Sequence, residues 1–358
     1  MKEKRRIRNL IKRFVLLPVI LLLEVFVLTG CKKSGTKIVF TTGFEEDVVF
    51  KIEDIKCTKP EVMVYLVNTE NIYDEVFGEK IWQVPFNDGT VESQYKESIL
   101  ARLAQIKAMN LYAEKTGVEL SINDKNGVKA AAAEYYNGLT PAELDLLGVD
   151  LDTIERMYTE YAIANKVYEN VTEPVNPEIS DDEARTVTIR SILIKTYGID
   201  NNGNRIEYGP DLKDDARRRA YELSARIKAG EEFEILAADY NEDEKTLYSF
   251  ARGVMPMAIE EAAFNLAEGD VSDVIETEFG FHIIKVLSNF DEEQTDQNKQ
   301  NIVKLRKQQT FTDTYDEYIA SLTSSINMDL WNSISYERRD GVSTTDFFDI
   351  YDSHFKDE

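Results

Sequence analysis

The hydrophobic period of this chain changes twice, and that change limits the folds open to it. In residues 186–196, TVTIRSILIKT, apolar and polar side chains alternate as in a strand, and HIIKVLSN at 282–289 is a second β-branched run. Between them DDARRRAYELSARIKAGEEFEILAADY reads as two helical segments broken at Gly230. Strand, helices and strand within about 100 residues predict a compact α+β domain. On both sides of it the apolar residues return at helical spacing.

Upstream, Tyr95, Ile99, Leu103, Ile106 and Met109 recur by threes and fours and fall on one helix face. Gly117 is placed to end that helix. Ser121, Thr140 with Pro141 behind it, and Asp150 or Asp152 are placed to start three more. Residues 56–180 are therefore expected to form a helical module, preceded at 31–55 by a tether and a short β segment, DVVFKIEDIKC. The run TEPVNPEISDDEA reads as a hinge. Downstream, Phe311, Tyr315, Tyr318, Ile319 and Leu322 stripe one face of a long helix from about 292 to 326. Such a helix needs a partner, so 291–335 is expected to return to the helical module. Residues 336–358 have no clear period and are expected to be a flexible tail.

The formal net charge is -24, of which residues 1–30 contribute +5, so the remainder carries -29. A body this acidic repels phosphate backbones, and nucleic acid is not an expected partner. The basic start is MKEKRRIRNLIKR, followed by the apolar FVLLPVILLLEVFVLTG and then Cys31. A cationic segment before a short apolar one is an export signal, 1–30, too short for a membrane span of about 20 apolar residues. Leu28-Thr29-Gly30-Cys31 resembles the lipobox of bacterial lipoproteins, which implies lipidation at Cys31, attachment to the outer face of the cell membrane through that lipid, and an extracytoplasmic body. That leaves Cys57 without an intramolecular partner, so packing rather than a disulfide must hold the fold, and Cys57 reads as a small buried residue.

Residues 250–286 read FARGVMPMAIEEAAFNLAEGDVSDVIETEFGFHIIKV. The turn Phe250-x-Arg252-Gly253-x-Met255, then Glu260 to Phe264, Leu266, Gly269 and Ser272, and finally Thr277-x-Phe279-Gly280-Phe281-His282-Ile283-Ile284 resemble the second half of a parvulin-type peptidyl-prolyl isomerase. The resemblance covers residues 186–290, a little under a third of the chain. With a lipobox ahead, a helical module before and a helix after, the layout is similar to PrsA-type foldase lipoproteins and SurA-type chaperones. It implies an α+β chain in which a helical chaperone-like module carries an inserted parvulin-like domain, whose partners are unfolded or newly exported polypeptides.

Such a domain twists an X-Pro amide over a barrier of about 20 kcal/mol without making or breaking a bond. It needs an apolar place for the pyrrolidine ring and polar groups that favour the twisted amide, and no cofactor. By resemblance Leu247, Met255 and Ile259 occupy the proline-pocket positions, Phe279 lies close by, His282 matches the family's second histidine, and Asp243 falls where Cys or Asp is usual. The chain departs from the pattern at Ser191, where the family's first strand has histidine, at Ile259, where an aromatic residue is common, and in a shortened loop from Asp243 to Phe250. Two readings stay open: a foldase whose His282, Asp243 and Ser191 serve catalysis, and a holdase of the same fold that only binds unfolded chains, with His282 a strand residue bonded to Thr277 or Ser191. G-x-S-x-G, P-loop, HExxH and CxxC patterns are absent from the sequence. Two histidines and one free thiol do not suggest a metal site.

Overall fold

The structure, a computed structural model, describes residues 43–87, 89–201, 203–335 and 339–355. The export segment, with Cys31, lies outside the described residues, and no helix among those described is long and apolar enough to cross a membrane. The chain is α+β and divides into two units. One runs up to Pro174 and resumes at Gln308; the other is Val175–Lys307.

The first unit opens with strands β1 (Val48–Ile52) and β2 (Ile55–Thr58), a hairpin turned at Glu53 with φ 51. Helix α1 (Lys59–Phe77) follows, with Thr58 and Glu61 forming its capping box. A small hairpin, β3 (Pro85–Phe86) and β4 (Gly89–Thr90), leads to α2 (Val91–Thr116), α3 (Ile122–Gly138), α4 (Pro141–Leu147) and α5 (Leu151–Thr172). The caps fall where the side chains predict them: Ser121, Thr140 and Asp150 each accept a backbone N–H of the first turn, and Gly117 is left-handed at φ 74. Ile99, Leu103, Ile106 and Met109 are buried together in the core of this unit, with Cys57.

The second unit begins with α6 (Asp181–Ala184), then β5 (Thr186–Lys195), the hairpin β6 (Tyr197–Ile199) and β7 (Arg205–Glu207), and helices α7 (Pro210–Lys228) and α8 (Phe233–Tyr240). Strand β8 (Leu247–Ala251), helix α9 (Met257–Asn265), and strands β9 (Ile275–Thr277) and β10 (Gly280–Ser288) complete it. Among the described residues its main sheet is antiparallel, in the order β8-β5-β10-β9. Because strand side chains alternate, each face has its own core. Ile192, Ile194, Phe281 and Ile283 pack with Ala216, Leu223 and Leu236 of α7 and α8. Val187, Ile189, Ile284 and Val286 pack with Phe250 of β8 and with Ile259 and Phe264 of α9.

Helix α10 (Glu292–Ile319) crosses the boundary between the units, and β11 (Ser324–Ile326), α11 (Met328–Ser333) and α12 (Phe347–Phe355) complete the first unit. Two expectations for this region need correction. The helix stops at Ile319, because Ser324–Ile326 pairs with β1 instead. Of the expected tail, residues 339–355 are described and are not flexible: Phe347 is 0% exposed, its ring stacks 4.4 Å from Tyr158, and Tyr158 donates its hydroxyl to the Phe347 carbonyl at 2.6 Å. The physical reason is the apolar stripe of Phe347, Tyr351 and Phe355, one turn apart, which α12 lays on the core of its unit.

Candidate functional site

His282 is set by two registers. On β10 it opposes Leu193 of β5 and Ile275 of β9, so its ring lies on the sheet face covered by α9. Gly280 makes the β5 pairing possible: it has φ 137, and a Cβ there would meet the Ile194 carbonyl oxygen at 2.2 Å. The imidazole is 6% exposed, and its Nε2 lies 2.9 Å from the Thr277 hydroxyl, which also accepts the Phe279 N–H at 3.1 Å. Burial pushes the ring's pKa down to about 4, against the opposing field of Asp243, so it is neutral near pH 7. Ser191 opposes Ile284, one pair along on the same face, and is buried. The hydroxyl against the ring nitrogen is that of Thr277.

The shortened loop after α8 is stitched along the free edge of β5. Leu193 N–H donates to Asn241 Oδ1 at 2.9 Å, Lys195 N–H to Glu242 Oε2 at 2.7 Å, and Ser191 N–H to the Thr246 carbonyl at 2.7 Å. This stitching sets Asp243 in the loop, where Oδ2 accepts the Tyr248 hydroxyl at 2.6 Å and Oδ1 accepts the Glu244 N–H at 2.8 Å.

The structure places the four proline-pocket candidates in different surroundings. Leu247 pairs with Arg190 and so faces away from His282, toward α8, where Arg190 meets Glu234; it is 52% exposed. The next residue, Tyr248, pairs with Ile189 and takes the α9 face. Ile259 is 1% exposed and is core rather than lining. Phe279, 36% exposed, sits in the β9–β10 turn under the guanidinium of Arg205. Met255 is half-buried against the α9-side core, as are Tyr248 and Ile275. Its loop is fixed by Glu260, whose Oε1 accepts both the Val254 and Met255 N–H groups at 2.8 and 2.9 Å. Arg252 stacks on Phe264 at 4.2 Å, which explains why the turn needs an arginine.

Chemically, the face offers partly exposed apolar surface from Met255, Tyr248 and Ile275, and on the same face a neutral imidazole. A cleft of about 400 Å³ lies beyond Thr277, lined by Arg205, Lys213, Arg217, Glu207, Glu276 and Glu278. Charges of both signs suit no pyrrolidine ring. No group of three or more His, Cys, Asp or Glu side chains that could hold a metal occurs among the described residues. Tyr248 and Ile275 share this face without figuring in the candidate set read from the sequence, and alternation along β8 is the signal that could have found Tyr248.

Residues 178–290 match the family model described as the PPIC-type PPIASE domain. "Foldase protein PrsA 3" of Bacillus cereus is 29% identical over 172 residues, 45% of this chain and 57% of the relative. "Foldase protein PrsA" of Halalkalibacterium halodurans is 26% identical over 227 residues, 61% and 65%. The chain thus spans less than two thirds of the length of these curated relatives. Among solved structures, a peptidylprolyl isomerase (PrsA) of Bacillus cereus matches at 21% identity and TM-score 0.31, covering 75% of this chain and 97% of that one. A foldase protein PrsA of Streptococcus pneumoniae matches at 19% and 0.29, covering 74% and 97%.

Proposed function

We propose, from the premise that residues 178–290 are a PPIC-type PPIase domain, that the chain is an extracytoplasmic foldase that isomerises X-Pro bonds of unfolded exported polypeptides and is anchored through a lipid on Cys31. The observation that carries this reading is the α9 face of the sheet. A neutral imidazole, held by Thr277 and opposite Ile275, shares this face with half-buried Met255, Tyr248 and Ile275. The apolar side chains take the pyrrolidine ring. As the amide twists, its carbonyl and nitrogen lose conjugation, and nearby neutral hydrogen-bonding groups stabilise that distribution of charge better than the planar one. No proton needs to leave the substrate. In the first unit, Val76, Phe77, Val84 and Phe86 are exposed within residues 76–86 and offer an unfolded chain a second apolar surface.

A second reading is a holdase without isomerase activity. The observation favouring it is Ser191: where the resemblance calls for a second imidazole there is a hydroxyl, and the other histidine of the sequence, His354, is in the other unit. Cis–trans exchange of an Ala-Pro peptide, followed by NMR with the full chain and with His282→Ala, separates the two. The foldase reading expects exchange faster than the uncatalysed tens of seconds, and a rate roughly tenfold or more lower in the variant. Equal rates in both, indistinguishable from the uncatalysed one, overturn it and leave the holdase.

A further inference from the structure

We propose that Tyr248 is a positioning residue of this site, its hydroxyl fixing the carboxyl group of Asp243 beside the imidazole of His282, a role that rests on the isomerase reading. Three observations converge on it. The pairing of Tyr248 with Ile189 turns its ring onto the face of His282, half-buried against the core built by Phe250 and Ile259. Its hydroxyl donates to Asp243 Oδ2 at 2.6 Å, while the Lys245 carbonyl, at 3.4 Å, is a far weaker alternative. Asp243 directly follows Glu242, whose N–H donates at 2.9 Å to the carbonyl of Leu193, the residue opposite His282 on the sheet, and its negative charge acts on the His282 ring.

Asp243 sits in a loop and has one other side-chain restraint, the Glu244 N–H on its second oxygen. Without the phenol, one oxygen is left to seek water, and the carboxyl group is free to turn outward. Tyr248 also has the better geometry for the task than a loop residue. It is anchored in a paired strand, so its position is inherited from the sheet and passed to the loop through a single short bond. Burial and the neighbouring carboxyl both push the phenol's pKa up, so it remains a donor across the working pH range. The shortened loop and the tyrosine therefore act together: the tyrosine restrains a residue that a short, acidic loop would not hold by itself.

The test is a cycle of four full chains: wild type, Tyr248→Phe, Asp243→Ala and the double variant. Phenylalanine keeps the ring in the core and removes only the donor. Two quantities are read: kcat and KM for an Ala-Pro peptide, and the NMR ring resonances of His282 at neutral pH. The expected result is that Asp243→Ala and Tyr248→Phe each lower kcat by about fivefold with KM within about twofold, and that the double variant loses no more than either. The His282 resonances should move in the same direction in both single variants and no further in the double. Wild-type values in Tyr248→Phe, or losses that multiply in the double variant, overturn the proposal. If the wild-type chain does not catalyse exchange at all, the isomerase reading and the catalytic role fall together. The ring resonances then still decide separately whether Tyr248 links Asp243 to His282.

Discussion

The Nε2 atom of His282 is 2.9 Å from the hydroxyl oxygen of Thr277, a bond made within one β-ribbon by residues five apart. It gives one nitrogen of the buried ring a partner and fixes the ring's orientation on the α9 face. Thr277→Val should strand that nitrogen, costing about 1–3 kcal/mol of stability. It should also lower kcat/KM by roughly tenfold if about 1.4 kcal/mol of positioning is lost. Thr277→Ser should keep most of both. Chemical denaturation and the peptide exchange assay check these outcomes, and a Val variant equal to wild type in both would contradict them.

The same ring makes the second unit sensitive to acid. Its pKa falls from 6.5 to about 4 on folding, so between those values the unfolded chain binds the extra proton. The stability from keeping the ring neutral is present in full above pH 6.5 and is lost as the pH falls toward 4. The loss is about 3 kcal/mol over that window. His282→Gln should flatten this part of the stability curve, as read by urea unfolding at pH 7, 6 and 5.

Glu70 on α1 works the other way. It is 3% exposed, its Oε2 has no hydrogen-bond partner, and burial, reinforced by Glu92 and Asp74, pushes its pKa up to about 9. The folded state therefore keeps the proton, and this stability is full below pH 4.5 and lost as the pH rises through 9. Glu70→Gln should raise stability by at least about 1 kcal/mol at pH 8 and change little at pH 4. Because the Glu70 pKa is raised on folding and the His282 pKa is lowered, the two variants should alter opposite ends of the pH profile.

Lys107 on α2 is almost wholly buried, with Nζ 2.6 Å from Glu61 and 2.6 Å from Glu160. Removing the cation leaves two carboxylates in the core of the first unit, with the half-exposed Arg156 at 4.0 Å from Glu61. Lys107→Met should cost about 3–5 kcal/mol, measured by thermal unfolding.

Much of this was legible in the sequence for simple physical reasons. Alternation at 186–195 and the β-branched run at 282–289 marked the two long strands, and helix caps stood at Ser121, Thr140 and Asp150 or Asp152. The turn around Arg252, Gly253 and Met255 could be placed because each residue type does one job there: stacking on Phe264, a positive φ of 85, and the apolar wall. What stayed hidden depends on register and length. A step of one residue along β8 exchanges Leu247 for Tyr248 on the site face, and a loop that departs from the usual pattern gives no warning of that step. Ile259 reads as pocket or core equally well until its burial is known. The helix at Phe347–Phe355 is nine residues long, too short for its period to stand out beside Asp349 and Asp352.

The account stands or falls on which face of the sheet meets a prolyl peptide. Methyl and aromatic NMR signals of the full chain, recorded while an Ala-Pro peptide is added, test this most directly. Shifts are expected at Met255, Ile275, Tyr248 and His282, with Leu247 and Leu236 on the other side unmoved. Shifts confined to Leu247 and the α8 side, or to the charged cleft beyond Thr277, would contradict it.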